Sequence, residues 1–318
     1  MYKYIYGPVP SRRLGISLGI DLVPYKTCTL NCIYCECGGT TDFTLERREY
    51  IPAGEIIGEV RNFLANNPPP DWITLSGSGE PTLNSKTGYI IKTIKREFPH
   101  IRFAVITNGT LLYQKEVREE LMNADLVLPS LDAVTETAFC KIDVPIKGLD
   151  LSTVIDGIAE FTREFQSKGK EIWLEVFIME GINDDSENIK KLKETIRYIN
   201  PSRVQLNSLD RPGTVSNLKP ASKETLLRIK KELGFPNTEI ISKYKKRSEI
   251  QSYHKDKETA ITEVLRVRPC TTKDISEITG IPINEINQYI DILLSEKKIE
   301  IIRSSPKLRG VFFRYKSN

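Results

Sequence analysis

At 318 residues the chain is long for one core, and 39% hydrophobic with 28% charged residues describes an ordinary soluble protein of about two domains. No apolar run approaches the roughly 18–20 residues that span a bilayer, and Met1-Tyr2-Lys3-Tyr4-Ile5-Tyr6-Gly7 lacks a signal-peptide core, so no membrane partner is expected. A net charge of +4 is too small to imply nucleic acid by itself, and six cysteines, three of them clustered, point to a reducing, cytoplasmic setting and a metal rather than disulfides.

Residues 6–15 read as turn-rich, with Gly7, Pro8, Pro10 and Gly15, and carry Arg12 and Arg13. Residues 15–23 alternate with period two and predict a strand that Pro24 ends. The stretch Cys28-Thr29-Leu30-Asn31-Cys32-Ile33-Tyr34-Cys35 hangs from that strand's end and has neither period. A helical pattern starts at Pro52 and runs through Ile56, Ile57, Val60, Phe63 and Leu64, stopped by Asn66-Asn67-Pro68-Pro69-Pro70. Strands are then expected at 72–75, 102–106, 126–129, 171–178 and 203–206, with helices at 85–98, 113–122, 151–166 and from about 185 to 198. Six strand–helix units, counting the strand before the cysteines first, predict a parallel sheet in an α/β fold, a partial (β/α)6 TIM-like barrel. In such folds functional groups gather at the C-terminal ends of strands. The cysteine loop, Ser76-Gly77-Ser78-Gly79-Glu80-Pro81, Thr107-Asn108-Gly109, Ser130-Leu131-Asp132 and Asn207-Ser208-Leu209-Asp210-Arg211 each follow a predicted strand directly. That repetition points to one active site within residues 14–213.

Cys28, Cys32 and Cys35 are spaced C-x3-C-x2-C. Thiolates are soft ligands, and several on a short loop bind an iron–sulfur cluster or zinc. A structural zinc site wants four closed ligands. Here the only other nearby thiol is Cys37, and no second CxxC pair exists. Three thiolates instead suit a cubane with one iron left open. Cys37 reads as a spectator, with a second-site ligand or hydrogen-atom donor as the alternative. Cys140 and Cys270 read as core or spectator residues, and the two histidines, His100 and His254, lie near no motif, which speaks against histidine-based metal hydrolysis.

The three cysteines, with aromatic Tyr34 before the last, resemble the signature of the radical S-adenosylmethionine (SAM) superfamily. The resemblance implies a [4Fe-4S] cluster, SAM bound at its open iron, reductive cleavage to a 5′-deoxyadenosyl radical, and a reductant such as flavodoxin or ferredoxin. Ser76 to Pro81 resembles the family's Gly-Gly-Glu-Pro motif, with Ser78 standing between two glycines, and implies SAM contacts from Gly77, Ser78, Gly79 and Glu80. Asn108 and Ser130 stand where the family places polar contacts to SAM. Glu175 is expected to face the barrel lumen, and Ile178 with Asn183 resembles the adenine-contacting strand end. Asp132 is either a further contact or the N-cap of the next helix. Asp210 and Arg211, at the last strand's end, are the candidates for substrate contact and catalysis, or else a plain ion pair. Residues 6–242 are similar to a branch of the superfamily grouped near the wyosine tRNA-modifying enzymes, which implies nothing firm about the substrate.

The predicted domains are a core over 1–243, a linker over 244–258 and a C-terminal domain over 259–318. In the last, two helices, a helix from Pro282 and a hairpin follow in winged-helix order. Its recognition-type helix offers Asn284, Glu285, Asn287, Gln288 and Asp291, and the hairpin carries Arg303, Lys307, Arg309, Arg314 and Lys316. Base readout by such a helix is not expected, and the module reads as a capture site for an RNA or protein substrate. The alternative is a non-catalytic iron–sulfur regulator that binds DNA through the winged helix. A zinc-binding scaffold is the third reading.

Overall fold

The computed structural model describes residues 2–11, 13–241, 257–302 and 310–316. Strand β1 (Ile5–Ser11) pairs antiparallel with β2 (Gly15–Ile20). The cysteine loop follows and contributes a short parallel pair, β3 (Thr27–Cys28) with β4 (Asp42–Phe43), before helix α1 (Ala53–Asn66). Then come β5 (Trp72–Leu75), α2 (Thr87–Glu97), β6 (Arg102–Thr107), α3 (Lys115–Leu121) and β7 (Leu126–Pro129). Helices α4 (Glu136–Ile142) and α5 (Leu151–Gln166) precede β8 (Glu171–Ile178), α6 (Ser186–Ile199), β9 (Arg203–Ser208), α7 (Lys223–Leu233) and β10 (Thr238–Ile240).

The sheet runs β1-β2-β5-β6-β7-β8-β9-β10, and from β2 onward every pairing is parallel. The order never reverses, so it has no switch point of the doubly wound kind. Right-handed crossovers then put the helices on one face, and α1 with α2, α2 with α3, α5 with α6 and α6 with α7 are neighbours accordingly. The result is an α/β fold with a mostly parallel sheet, consistent with a partial TIM barrel. Its core packs strand residues such as Leu18, Ile73, Phe103 and Leu174 against helix residues such as Ile56, Ile90, Phe161 and Ile196.

The predicted strands and helices of this region are present, with ends shifted by a few residues. Residues 6–15, expected as turns, instead contain β1. An edge strand tolerates proline, and the register shift between Tyr6 and Val9 takes up the Gly7-Pro8 step. A seventh parallel strand, β10, is three residues long, too short to show a period. Helices α4 and α7 also went unpredicted.

Beyond residue 256, α8 (Lys257–Val267), α9 (Thr272–Thr279) and α10 (Ile283–Ser295) precede a hairpin of β11 (Ile299–Ile302) and β12 (Phe312–Tyr315). Thr271 and Asp274 form a capping box on α9, and Gly280 ends it at φ 74°. These elements bury their own core, including Ile261, Leu265, Ile275, Ile286 and Leu293, and Val9 of β1 packs against it. Positions 244–256 of the predicted linker lie outside the described residues, as do Arg12 and the hairpin's Arg303, Lys307 and Arg309.

Candidate active site

The cysteine loop is pinned at both ends. Lys26 N–H donates to Ser78 O (3.2 Å), Asn31 N–H to Asp143 O (3.0 Å) and Ile33 N–H to Ile142 O (2.9 Å). Cys35 N–H closes a turn on Cys32 O (3.2 Å), which carries the last two thiols together. Each of the three thiols has one polar side chain from outside the motif beside it. Asn108 Nδ2 is 3.6 Å from Cys28 Sγ, Asp143 Oδ1 is 3.7 Å from Cys32 Sγ, and Lys26 Nζ is 3.0 Å from Cys35 Sγ. A hydrogen bond from Cys37, and after it the charge of Lys26, draw the Cys35 thiol down to about 5 against the effect of burial. Burial pushes Cys28 up to about 11 and Cys32 well above the usual thiol range, the latter helped by Asp143.

This donor set fits a cluster. The three sulfurs act on one another electrostatically, and N–H donors face two of them, as cluster thiolates require. Among the described residues no group of three or more His, Cys, Asp or Glu could hold a single metal ion.

The glycine loop is fitted to protein on both sides. Gly77 has φ 149°, and a Cβ there would fall 1.9 Å from Asp21 Oδ1. A Cβ on Gly79 would meet Thr27 O at 2.2 Å. The glycines therefore admit the β2 end and the cysteine loop, where the sequence suggested room for a ligand. Ser78 N–H and Oγ donate to Asp21 Oδ1 (2.9 and 3.2 Å). Glu80 is buried, and its carboxylate accepts from Thr82 N (3.0 Å), Thr82 Oγ1 (2.6 Å), Thr107 Oγ1 (2.6 Å) and Asn108 N (2.8 Å). It brackets the ends of β5 and β6. Asn108 Nδ2 donates onward to Thr29 Oγ1 (2.8 Å), inside the cysteine motif.

The far wall is built the same way. Ser130 bridges to Glu175, whose carboxylate pairs with Arg13 and accepts from Asn207 Nδ2 (3.3 Å). Tyr34 stacks on Phe177, centroids 3.9 Å apart and 9° from parallel, and its hydroxyl donates to Asp132. Asp132 also accepts from Phe177 N (2.7 Å), and burial pushes its carboxyl up to about 6. It is not an N-cap; Thr135 caps α4. Asn183 is buried and staples Asp132 O, Phe177 O and Met179 N, each at 2.8 Å, beside the buried Ile178. A cavity of about 40 Å³ lies between these groups, with Leu30, Tyr34, Asn108, Ser130, Asp132 and Asp143 in its walls.

Asp210 and Arg211 open a strap across the cysteine loop. Arg211 is 1% exposed, with its guanidinium 3.3 Å from Glu36. Thr214 Oγ1 donates to Cys32 O (3.2 Å) and Cys35 O (3.3 Å), and Val215 N–H to Ile33 O (3.0 Å). Asp210 is half-buried.

A family model described as the Radical SAM superfamily matches residues 22–192, more than half of the chain. The chain belongs to the radical SAM superfamily. The cofactors of that superfamily are a [4Fe-4S] cluster and SAM. This radical SAM protein is 31% identical over 293 residues to the UPF0026 protein MJ1312 of Methanocaldococcus jannaschii, covering 90% of each, and so belongs to that group as well. It is 42% identical over 229 residues to a Brachyspira hyodysenteriae protein named GTPase Obg, covering 72% of this chain and only 33% of that one. The solved structure of TYW1 with a lysine-pyruvate adduct shares the fold at 17% identity and TM-score 0.52, over 68% of this chain and 72% of that chain.

Sequence reasoning on this radical SAM protein missed Asp21, Lys26, Asp143 and the pairing of Arg13 with Glu175. Lys26 stands two residues before Cys28, a signal that was available. Asp143 precedes no motif and reaches Cys32 only through the fold.

Proposed function

We propose that Cys28, Cys32 and Cys35 each hold one iron of the [4Fe-4S] cluster and leave the fourth to SAM. The observation that carries this is the set of three thiols at the end of β2, each with its own polar neighbour and ringed by loops from four other strand ends. With the cluster and SAM bound, the chemistry that this site would supply is a 5′-deoxyadenosyl radical for hydrogen-atom abstraction from the substrate. The residues of the chain shape and close the space. Tyr34, Asn108 and Ser130, which line the cavity, face SAM, and Ser78 ties the glycine loop to Asp21 and Lys26 beside it. Glu175 and Ile178 form the wall toward its nucleoside. Gly77, Gly79, Glu80 and Asn183 fix the loops that present those groups. Arg211 holds Glu36 and thereby the cysteine loop, and Asp210, half-buried at the start of the same strap, contacts the substrate. The electron comes from a cytoplasmic reductant such as flavodoxin or ferredoxin.

The C-terminal elements, in winged-helix order, form a module of their own that we assign to capture of a macromolecular substrate, RNA or protein. In α10, Asn284, Asn287, Gln288 and Asp291 are exposed, and Glu285 pairs with Lys257 (2.6 Å). Lys298 is taken up by Glu296 (2.7 Å) and Glu258 (3.2 Å), and Arg314 by Glu300 (2.7 Å). Duplex reading draws on cations facing phosphates and a groove-fitting helix, and these pairings speak against a DNA-binding regulator. Anaerobic, dithionite-reduced protein given SAM should release 5′-deoxyadenosine, and Cys28→Ala, Cys32→Ala or Cys35→Ala should abolish it. Wild-type protein that carries a cluster yet releases none would refute the enzymatic reading.

A further inference from the structure

Lys26 is held where a lysine fits poorly. Its φ is 56°, a region that glycine or asparagine enters at less cost. Its backbone cannot easily move: besides the Ser78 bond, its carbonyl accepts from Thr41 N (3.0 Å) and Asp42 N (3.2 Å). The residue is only 3% exposed. A buried ammonium needs a negative partner. The negative groups that Lys26 faces are sulfurs, with Cys35 Sγ at 3.0 Å and Cys28 and Cys37 further off. The other two thiols of the motif have uncharged or acidic neighbours at longer range, Asn108 at 3.6 Å and Asp143 at 3.7 Å. Among the described residues, Cys35 is the one thiol of the motif with a cation within hydrogen-bond distance.

We propose that Lys26 is a positioning residue that holds the Cys35 thiolate and raises the reduction potential of the cluster bound there. The proposal rests on the reading that Cys28, Cys32 and Cys35 carry that cluster. Reduction from the 2+ to the 1+ state adds one electron from an external low-potential donor, moves no proton, and leaves one more negative charge beside the ammonium. A fixed cation at a ligand sulfur stabilises the more negative state, more so in a site shielded from water. Lys26→Met keeps the stem and removes the charge, whereas Lys26→Arg keeps both charge and donor.

The test is a redox titration of anaerobically reconstituted full-length protein with dithionite, followed by electron paramagnetic resonance. In Lys26→Met the reduced-to-oxidised ratio at a fixed potential should fall at least tenfold, which is 59 mV for a one-electron couple. Lys26→Arg should stay within about threefold of wild type, since the charge is retained. An unmoved midpoint in Lys26→Met, or an equal fall in Lys26→Arg, overturns the assignment. A second arm needs no variant at the site. Wild-type protein labelled with 15N-lysine should show a 15N coupling to the reduced cluster, and absence of that coupling overturns the assignment even if Lys26→Met fails to assemble. Wild-type protein that binds no iron would instead sink the cysteine reading beneath it.

Discussion

Glu80→Gln distinguishes a loop bracket from a SAM ligand. The carboxylate receives two backbone donors, Thr82 N on Oε1 at 3.0 Å and Asn108 N on Oε2 at 2.8 Å. A glutamine has one acceptor oxygen, so whichever way its amide turns, one of those N–H groups faces an NH2. The two threonine hydroxyls can rotate to adapt; a backbone N–H cannot. A buried donor left without an acceptor costs about 1–3 kcal/mol. In a domain of 150–250 residues each kcal/mol is worth about 2–4 °C of melting temperature. The assay is thermal unfolding of the cluster-free protein in the absence of SAM. The expected result is a fall of several degrees, with weaker cluster retention on reconstitution because Asn108 reaches Cys28 and Thr29. An unchanged melting temperature with weakened SAM binding would refute the bracket and return Glu80 to the ligand role.

Gly79→Val should prevent cluster assembly as well as SAM binding, because its side chain would collide with Thr27 O beside Cys28; full iron content in that variant would contradict the packing described. Burial pushes the Asp21 carboxyl up to about 6 from an ordinary 3.8. The folded state therefore holds that proton more tightly than the unfolded one, and the neutral form's stability advantage is present below about pH 4 and lost as pH rises to about 6. Asp21→Asn, which keeps an acceptor for Ser78, should flatten that slope and add about 1–3 kcal/mol at pH 7.5 in urea unfolding; an unchanged pH profile would count against it. Alanine at Asn284, Asn287, Gln288 and Asp291 together should leave 5′-deoxyadenosine release intact while reducing what co-purifies anaerobically. Tight sequence-specific duplex binding by the full chain would show the module to be a regulator's.

The mostly parallel α/β sheet was legible because its strands are short apolar runs, each ended by a polar, glycine-bearing or cysteine-bearing loop. Local spacing also singled out Cys28, Cys32 and Cys35 as candidates, since thiols gathered in one loop need no tertiary information to be noticed. What stayed hidden depends on which groups the fold brings face to face. Glu80 and Asn183 were expected as SAM contacts. In the fold Glu80 accepts from Thr82, Thr107 and Asn108 and Asn183 bonds the backbone of Asp132, Phe177 and Met179, and nothing in the sequence says where such neighbours will point. Arg211 was offered as a substrate contact or else part of an ion pair, and its partner Glu36, 175 positions away, could not be read from the sequence. Gly77 and Gly79 were expected to contact SAM, and the fold adds that a Cβ on either would collide with Asp21 or Thr27. Strand β1 was obscured by prolines that only an edge position excuses.

The most direct test of the central claim is iron content and electron paramagnetic resonance of anaerobically reconstituted protein, with and without SAM. About four irons per chain are expected, with a reduced-cluster signal that changes shape when SAM is added. Cys28→Ala, Cys32→Ala and Cys35→Ala should lose that signal, and Cys140→Ala and Cys270→Ala should keep it. Stoichiometric zinc without iron, or a cluster signal indifferent to SAM, would contradict the account.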